Sequence, residues 1–116
     1  MQPTSSMRSV ELADGVRRIV LHGFLDAAVV ARMEPEFQTL LPAGGAVVVD
    51  LAGVEYCGSL GVRLLLTAAR LMKRRGGRLV LAAATPSVRQ VLEMTGVANI
   101  IPIADTAEEA RQLLAG

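Results

Sequence analysis

Few residues in this chain have the chemistry to act on another molecule, and most of them stand in one stretch, Tyr56-Cys57-Gly58-Ser59-Leu60-Gly61. Cys57 is the only cysteine and His22 the only histidine. One of each cannot build an ordinary zinc site, which draws several ligands from such residues. A Cys57–His22 nucleophilic pair needs a further group to orient the imidazole, and nothing in the sequence supplies one. His22 ends a predicted strand and reads as structural or exposed. Cys57 reads as a small core hydrophobe, the common state of a free cysteine. No glycine-rich phosphate loop of the Walker or dinucleotide kind is present. The expectation is no catalytic residue, no metal and no cofactor, so a protein that is not an enzyme.

Ser59 offers a different chemistry. It lies just before an apolar-periodic segment that begins at Leu60. A serine there can be the helix N-cap, its hydroxyl accepting from an orphan amide. The same position also suits a switch. A phosphate at a helix N-terminus meets exposed amides and the positive end of the dipole, so the fold can carry it. Gly58 and Gly61 leave the hydroxyl reachable. The added charge, about −1.5 to −2, would disturb a partner surface and not the fold. The local pattern by itself favours the cap.

The elements that position Ser59 follow from patterning. Ser9 to Leu12 and Val16 to Leu21 read as strands, with Asp14-Gly15 as a hairpin turn. Asp26 is a plausible N-cap. After it, Pro35 interrupts the apolar pattern, so either a short turn precedes a helix starting near Pro35 or one helix is kinked there. Phe37, Leu40 and Leu41 would face the core. Ala46 to Leu51, apolar except for Asp50, reads as a buried central strand, and so do Arg78 to Ala82 and Ile100 to Ile103. The helix Leu60 to Arg75 ends in Lys73, Arg74 and Arg75, with Gly76 just beyond. Thr85-Pro86 opens a helix that Gly96 closes. Thr106 with Glu109 is a capping box for a last helix. The order β-β-α-β-α-β-α-β-α predicts an α/β fold, a single domain with a mixed four- to five-stranded sheet and about four helices. Residues 1–7 are expected as a loose N-terminal tail and residues 8–116 as the domain.

Composition narrows the class. The 116 residues suffice for one domain with a real core, and 52% are hydrophobic, against disorder. Aromatics are only 3%, so the core must be aliphatic. No apolar run is long enough to span a membrane, and no signal peptide is recognisable, so membrane insertion is not expected. A lone cysteine fits a reducing, cytoplasmic setting. Charge is unevenly placed. Six of the 12 Lys+Arg lie between Arg63 and Arg78, and no acidic residue occurs from Tyr56 to Leu92. Such a tract can meet nucleic acid or an acidic protein surface. Neither interleaved aromatics nor a DNA-reading motif accompanies it, so no nucleic-acid partner is expected. A solvated helix face explains it as simply.

The stretch VVVDLAGVEYCGSLGVRLLLTAARLMKRRGGRLVLAAATPSVRQVLEMTGVANIIPI resembles the core of a STAS domain. The shared pattern is strand, Asp-Leu, loop, Asp-Ser-Ser/Thr-Gly, long helix, Arg/Gly-Gly, strand, Pro-x-Val, helix, Thr-Gly. Upstream, Leu21 to Ala28 (LHGFLDAA) is similar to the family's Gly-x-Leu-Asp segment. Within that family the chain resembles the bacterial anti-sigma factor antagonists. It implies a STAS-like fold and a partner-switching role. In that family a cognate anti-sigma serine kinase phosphorylates the first serine of the loop, the unphosphorylated form binds the kinase and releases the sigma factor, and a PP2C-type phosphatase resets the switch. Ser59 is the implied phosphoacceptor. Gly58 stands at the family's Asp, Leu60 at its second Ser/Thr, and Gly61 at its Gly. The resemblance implies docking at this loop and the following helix, through Gly58, Leu60, Gly61, Arg63, Thr67 and Arg70, with Arg74 on the same stripe. A dimer is possible. The alternative is a STAS subunit or scaffold of a membrane lipid-transport or stress-signalling complex, with no phosphate involved.

Overall fold

The computed structural model describes residues 5–12 and 15–115. β1 (Ser6–Glu11) pairs antiparallel with β2 (Val16–Leu25), setting Met7 opposite Leu21 and Ser9 opposite Ile19. Ser6 and Met7, read from sequence as tail, therefore belong to the sheet. Asp14 of the expected turn lies outside the described residues. Gly15 has φ +74, and its N–H donates to the Leu12 carbonyl at 3.2 Å.

α1 (Ala27–Leu40) starts at Asp26, whose carboxylate accepts from the Val29 amide at 3.0 Å. The helix runs through Pro35 without a break, so no separate turn precedes it. Ala31, whose carbonyl loses its donor to the proline, is exposed, and water can satisfy it. Phe37 and Leu41 are buried and Leu40 is half-buried.

β3 (Ala46–Cys57) is twice the length its apolar run suggested. It pairs parallel with β2 on one side and with β4 (Arg78–Ala82) on the other. Beyond Asp50 it carries two irregularities. From Val20 to His22 of β2, the partner residues run from Asp50 to Gly53; from Gly23 to Phe24, they run from Val54 to Tyr56. Each places one extra residue on β3 and switches which parity faces the core. Val47, Val49 and Leu51 point inward, then Val54, then Cys57. The apolar pattern alone could not show this strand continuing.

α2 (Ser59–Arg74) follows, then β4, α3 (Pro86–Met94), a 3₁₀ turn (Val97–Asn99), β5 (Ile103–Ala104) and α4 (Ala107–Ala115). The strand expected over Ile100 to Ile103 is corrected: only Ile103 and Ala104 pair, with Leu81 and Ala82. Ile100 ends the 3₁₀ turn, its amide donating to the Val97 carbonyl, and is exposed. The expected helix signals hold. Thr85 caps α3 through the Val88 amide, Gly96 follows that helix at φ +83, and Thr106 caps the Glu109 amide at 3.0 Å. At the end of α2, Gly76 takes φ +76, and the Gly77 amide reaches back to the Met72 carbonyl at 2.8 Å. This is a Schellman ending, which satisfies carbonyls that the helix leaves orphaned.

The sheet order is β1-β2-β3-β4-β5, antiparallel only at β1–β2. Side chains of α1, α2 and α3 pack on one face around Ile19, Leu21, Val47, Val49 and Leu81. α4 covers part of the other face through Ala110, against Val48, Val80 and Ala104. Asp50 points to that second face and is 3% exposed. Its Oδ2 accepts from Arg18 Nε at 3.0 Å and from the Arg18 Nη2, and its Oδ1 accepts from the Ala52 amide at 2.9 Å. The carboxylate thus holds β2 to β3 where the first extra residue disturbs the ladder.

Asp50→Ala should lower stability by about 2 kcal/mol, because it strands the Ala52 amide and the Arg18 guanidinium. Urea unfolding should show a lower midpoint with an unchanged m-value. An unchanged midpoint would show that the carboxylate does not carry this junction.

Candidate partner-binding site

The loop that carries Ser59 is fixed from below. The Gly58 amide donates to the Leu25 carbonyl at 3.2 Å, tying the end of β3 to the end of β2. Gly61 is buried at the same point. A Cβ there would lie 2.8 Å from Cys57 Sγ, 3.0 Å from Leu25 Cβ and 3.1 Å from the Leu25 carbonyl oxygen. Only glycine lets the first turn of α2 approach β2 this closely. Gly61 was expected at the partner surface. Its burial leaves it no surface of its own, and its contribution is to packing.

Ser59 is exposed and is the first residue of α2. The local sequence pattern favours this serine as the N-cap. The cap is Gly58, in extended backbone (φ −85, ψ −175), and no side-chain hydrogen bond caps the helix. The Gly58 carbonyl accepts from the Val62 amide at 3.0 Å. The amides of Ser59, Leu60 and Gly61 thus have no acceptor within the helix. The hydroxyl lies at a positive helix end and is not spent on holding that end together.

Leu60 is 38% exposed, and Arg63 and Arg70 are exposed; Thr67 is half-buried on the same stripe. Among the described residues Arg63, Arg70 and Arg74 form no ion pair. Leu60 and Arg63 border a groove of about 190 Å³ against Ala27, Val30, Ala31 and Glu34 of α1. The inward side of α2 buries Leu64, Leu65, Ala68 and Met72.

Two residues that the sequence reading did not single out complete the surface. Tyr56 is 50% exposed and Phe24 38%, and their rings stack with centroids 6.5 Å apart. Tyr56 also lies over Gly58: a Cβ at Gly58 would meet its Oη at 3.0 Å and its Cε2 at 3.2 Å. Two of the chain's three aromatic residues therefore sit in solvent beside Ser59. Their scarcity was the available signal, but their pairing needs β3 to run on to Cys57, which an apolar run ending at Leu51 does not show.

Cys57 and His22 do not form a reactive pair. Cys57 is buried, and burial pushes its thiol from 9.0 to about 11, so it stays protonated. His22 is exposed within β2, paired with Gly53, and its ring lies against that glycine, four residues before Cys57 on β3. No helix among the described residues is long and apolar enough to cross a membrane.

The family model described as Mlab, STAS domain matches residues 9–102. The chain belongs to the STAS domain family. Among its relatives is a Bordetella bronchiseptica protein named as an anti-sigma factor antagonist, BtrV. It is 32% identical over 103 residues, which span 88% of this chain and 89% of that one. Solved STAS structures share the fold. An anti-sigma factor antagonist from Mycobacterium paratuberculosis superposes with a TM-score of 0.85 at 22% identity, over 97% of this chain and 96% of that one. The anti-sigma factor antagonist SpoIIAA in its unphosphorylated form gives 0.76 at 23% identity, over 96% and 97%. The names these relatives carry are those of regulatory proteins.

Gly61→Ala should destabilise the domain by about 1–3 kcal/mol, since Leu25 backbone cannot yield to the new methyl. Thermal unfolding measures it, and a variant as stable as wild type would refute the close approach. Cys57 generates a pH dependence. Its folded pKa is raised, so the folded state binds the proton more tightly. The thiol's contribution is complete below about pH 9 and is lost as pH rises towards 11. Cys57→Ser should flatten stability between those values relative to wild type. A thiol reagent at pH 8 should label native protein far more slowly than protein in denaturant.

Proposed function

We propose that this STAS domain is an anti-sigma factor antagonist in a partner-switching circuit. Its partner is a kinase-type anti-sigma factor, Ser59 is the regulatory phosphoacceptor, and a PP2C-type phosphatase resets it. The setting is cytoplasmic. The observation that carries the reading is Ser59 itself, exposed on the first turn of α2 and free of any capping duty. A phosphate there faces amides that lack acceptors, so the fold tolerates it. Docking does not tolerate it, because the charge must be desolvated or paired within the contact. Similarity to BtrV, named as an anti-sigma factor antagonist, supports the antagonist role. Leu60, Arg63, Thr67 and Arg70 offer the partner an apolar edge and unpaired cations. Such cations mainly steer and orient an acidic partner.

Gly58 and Leu60 favour a second reading, a STAS subunit or scaffold that binds without phosphate. The loop lacks both the carboxylate beside the acceptor and the second hydroxyl.

One experiment separates the readings. Purified protein is incubated with the cognate kinase and ATP, and phosphate is mapped by mass spectrometry. Phosphate is expected on Ser59, at a slower rate than in a Gly58→Asp variant. Ser59→Asp should weaken kinase binding at least tenfold, by about 1.4 kcal/mol. Ser59→Ala should bind constitutively. Because Ser59 is not the cap, that variant should change stability by no more than about 0.5 kcal/mol. No phosphate on Ser59, with unchanged binding by Ser59→Asp, would leave the scaffold reading.

A further inference from the structure

We infer that the Phe24–Tyr56 stack is the apolar anchor of the kinase-binding surface and makes docking sensitive to phosphate on Ser59. The inference rests on the proposed function and names the residues by which that site works.

Three of the exposed large hydrophobic residues, Phe24, Tyr56 and Leu60, lie around one loop. Phe24 and Tyr56 are paired across β2 and β3, and Tyr56 reaches over Gly58 to the residue before Ser59. Buried aromatic anchors dominate binding energy when a partner excludes water from them. In solvent the two rings are only partly covered. A partner that seals them must also seal the loop they touch.

Gly58 fits the same account. Its missing Cβ leaves room for the Tyr56 side chain: a Cβ there would lie 3.0 Å from its Oη, 3.2 Å from Cε2 and 3.4 Å from Cζ. The departure at Gly58 and the position of the ring are one arrangement. A side chain there would need the ring to yield by a few tenths of an ångström.

The partner that fits is a protein with an apolar socket ringed by carboxylates. The socket takes the stack, and the carboxylates meet Arg63 and Arg70, which have no ion-pair partner among the described residues. A phosphate on Ser59 would stand at the rim of the socket. It keeps its water, and the partner can no longer dry the rings. Phosphate therefore acts through the stack, not only by repelling the carboxylates.

The test is a double-mutant cycle by titration calorimetry with the purified cognate kinase. Tyr56→Ala and Phe24→Ala should each weaken binding about tenfold or more, while Tyr56→Phe should bind as wild type. Melting temperatures of all variants, measured in parallel, should stay close to wild type. Ser59→Asp should weaken binding strongly in the wild-type background, and less than threefold further in Tyr56→Ala. Multiplicative effects, or full binding by Tyr56→Ala, overturn the inference and leave the proposed function standing. Failure of wild type and Ser59→Ala to bind any cognate kinase overturns both. Sedimentation checks the other occupant: a wild-type dimer that Tyr56→Ala dissociates, with kinase binding unchanged, assigns the stack to a second copy and overturns the inference.

Discussion

The arrangement of the site depends on one missing methyl group. Because Gly61 has no Cβ, the first turn of α2 rests directly on Leu25 and Cys57 at the ends of β2 and β3. The Gly58–Leu25 hydrogen bond closes the same junction from the loop side. Together they fix where α2 begins and how it is rotated. That rotation sends Leu64, Leu65, Ala68 and Met72 into the core. It leaves Ser59 and Arg63 outside, on the opposite stripe of the same helix, with Leu60 at the edge between. A shift of the first turn would disturb the core and the surface at once, so the acceptor position is held by the stability of the domain.

The second constraint lies in β3. Its two extra residues shift which positions reach the core. Without them, strict alternation would carry the inward face of Val47 and Val49 on to Gly53 and Glu55. With them, that face passes to Val54 and then back to Cys57, while Tyr56 pairs with Phe24. Irregularities of this kind re-aim side chains at strand ends near functional sites. They also break the ladder, and Asp50 offsets the first break by accepting from the Ala52 amide while holding Arg18. A charged residue in an otherwise apolar run thus belongs to the strand's construction. Burying it is tolerable because both oxygens are partnered.

What could be read from sequence follows from where local chemistry decides the outcome. Thr85, Pro86 and Gly96 bound α3 as expected, because a cap, a fixed φ and a left-handed residue act within a few positions. β4 was legible from Arg78 to Ala82 because it is buried on both faces and nothing interrupts it. Pro35 left two readings open, since helix continuity there depends on tertiary packing of Met33 and Phe37. Ile100 to Ile103 misled, because an apolar run shows neither that Ile100 ends a 3₁₀ turn nor that an edge strand can be two residues long. Ser59 was placed correctly as exposed and misassigned as the cap. Glycine and serine both occupy that position in helices, and Gly58-Ser59 offers one of each. The decision came from the Gly58–Leu25 bond, a contact between residues distant in sequence.

The displacement of the cap by one residue changes the physical logic of the switch. A serine that caps a helix ties its oxygen to an amide, so any change at that oxygen also acts on the helix end. Here the helix is closed by Gly58 backbone and by packing at Gly61, and neither depends on the state of Ser59. Chemistry at the hydroxyl therefore leaves the closure of the helix end intact. The neighbouring groups divide in the same way. Amides lacking acceptors receive added negative charge from below, and the exposed rings and Leu60 meet it from the side. The first contact is favourable in the free domain; the second matters only when a partner removes water. A switch residue with that division around it changes affinity without changing the fold.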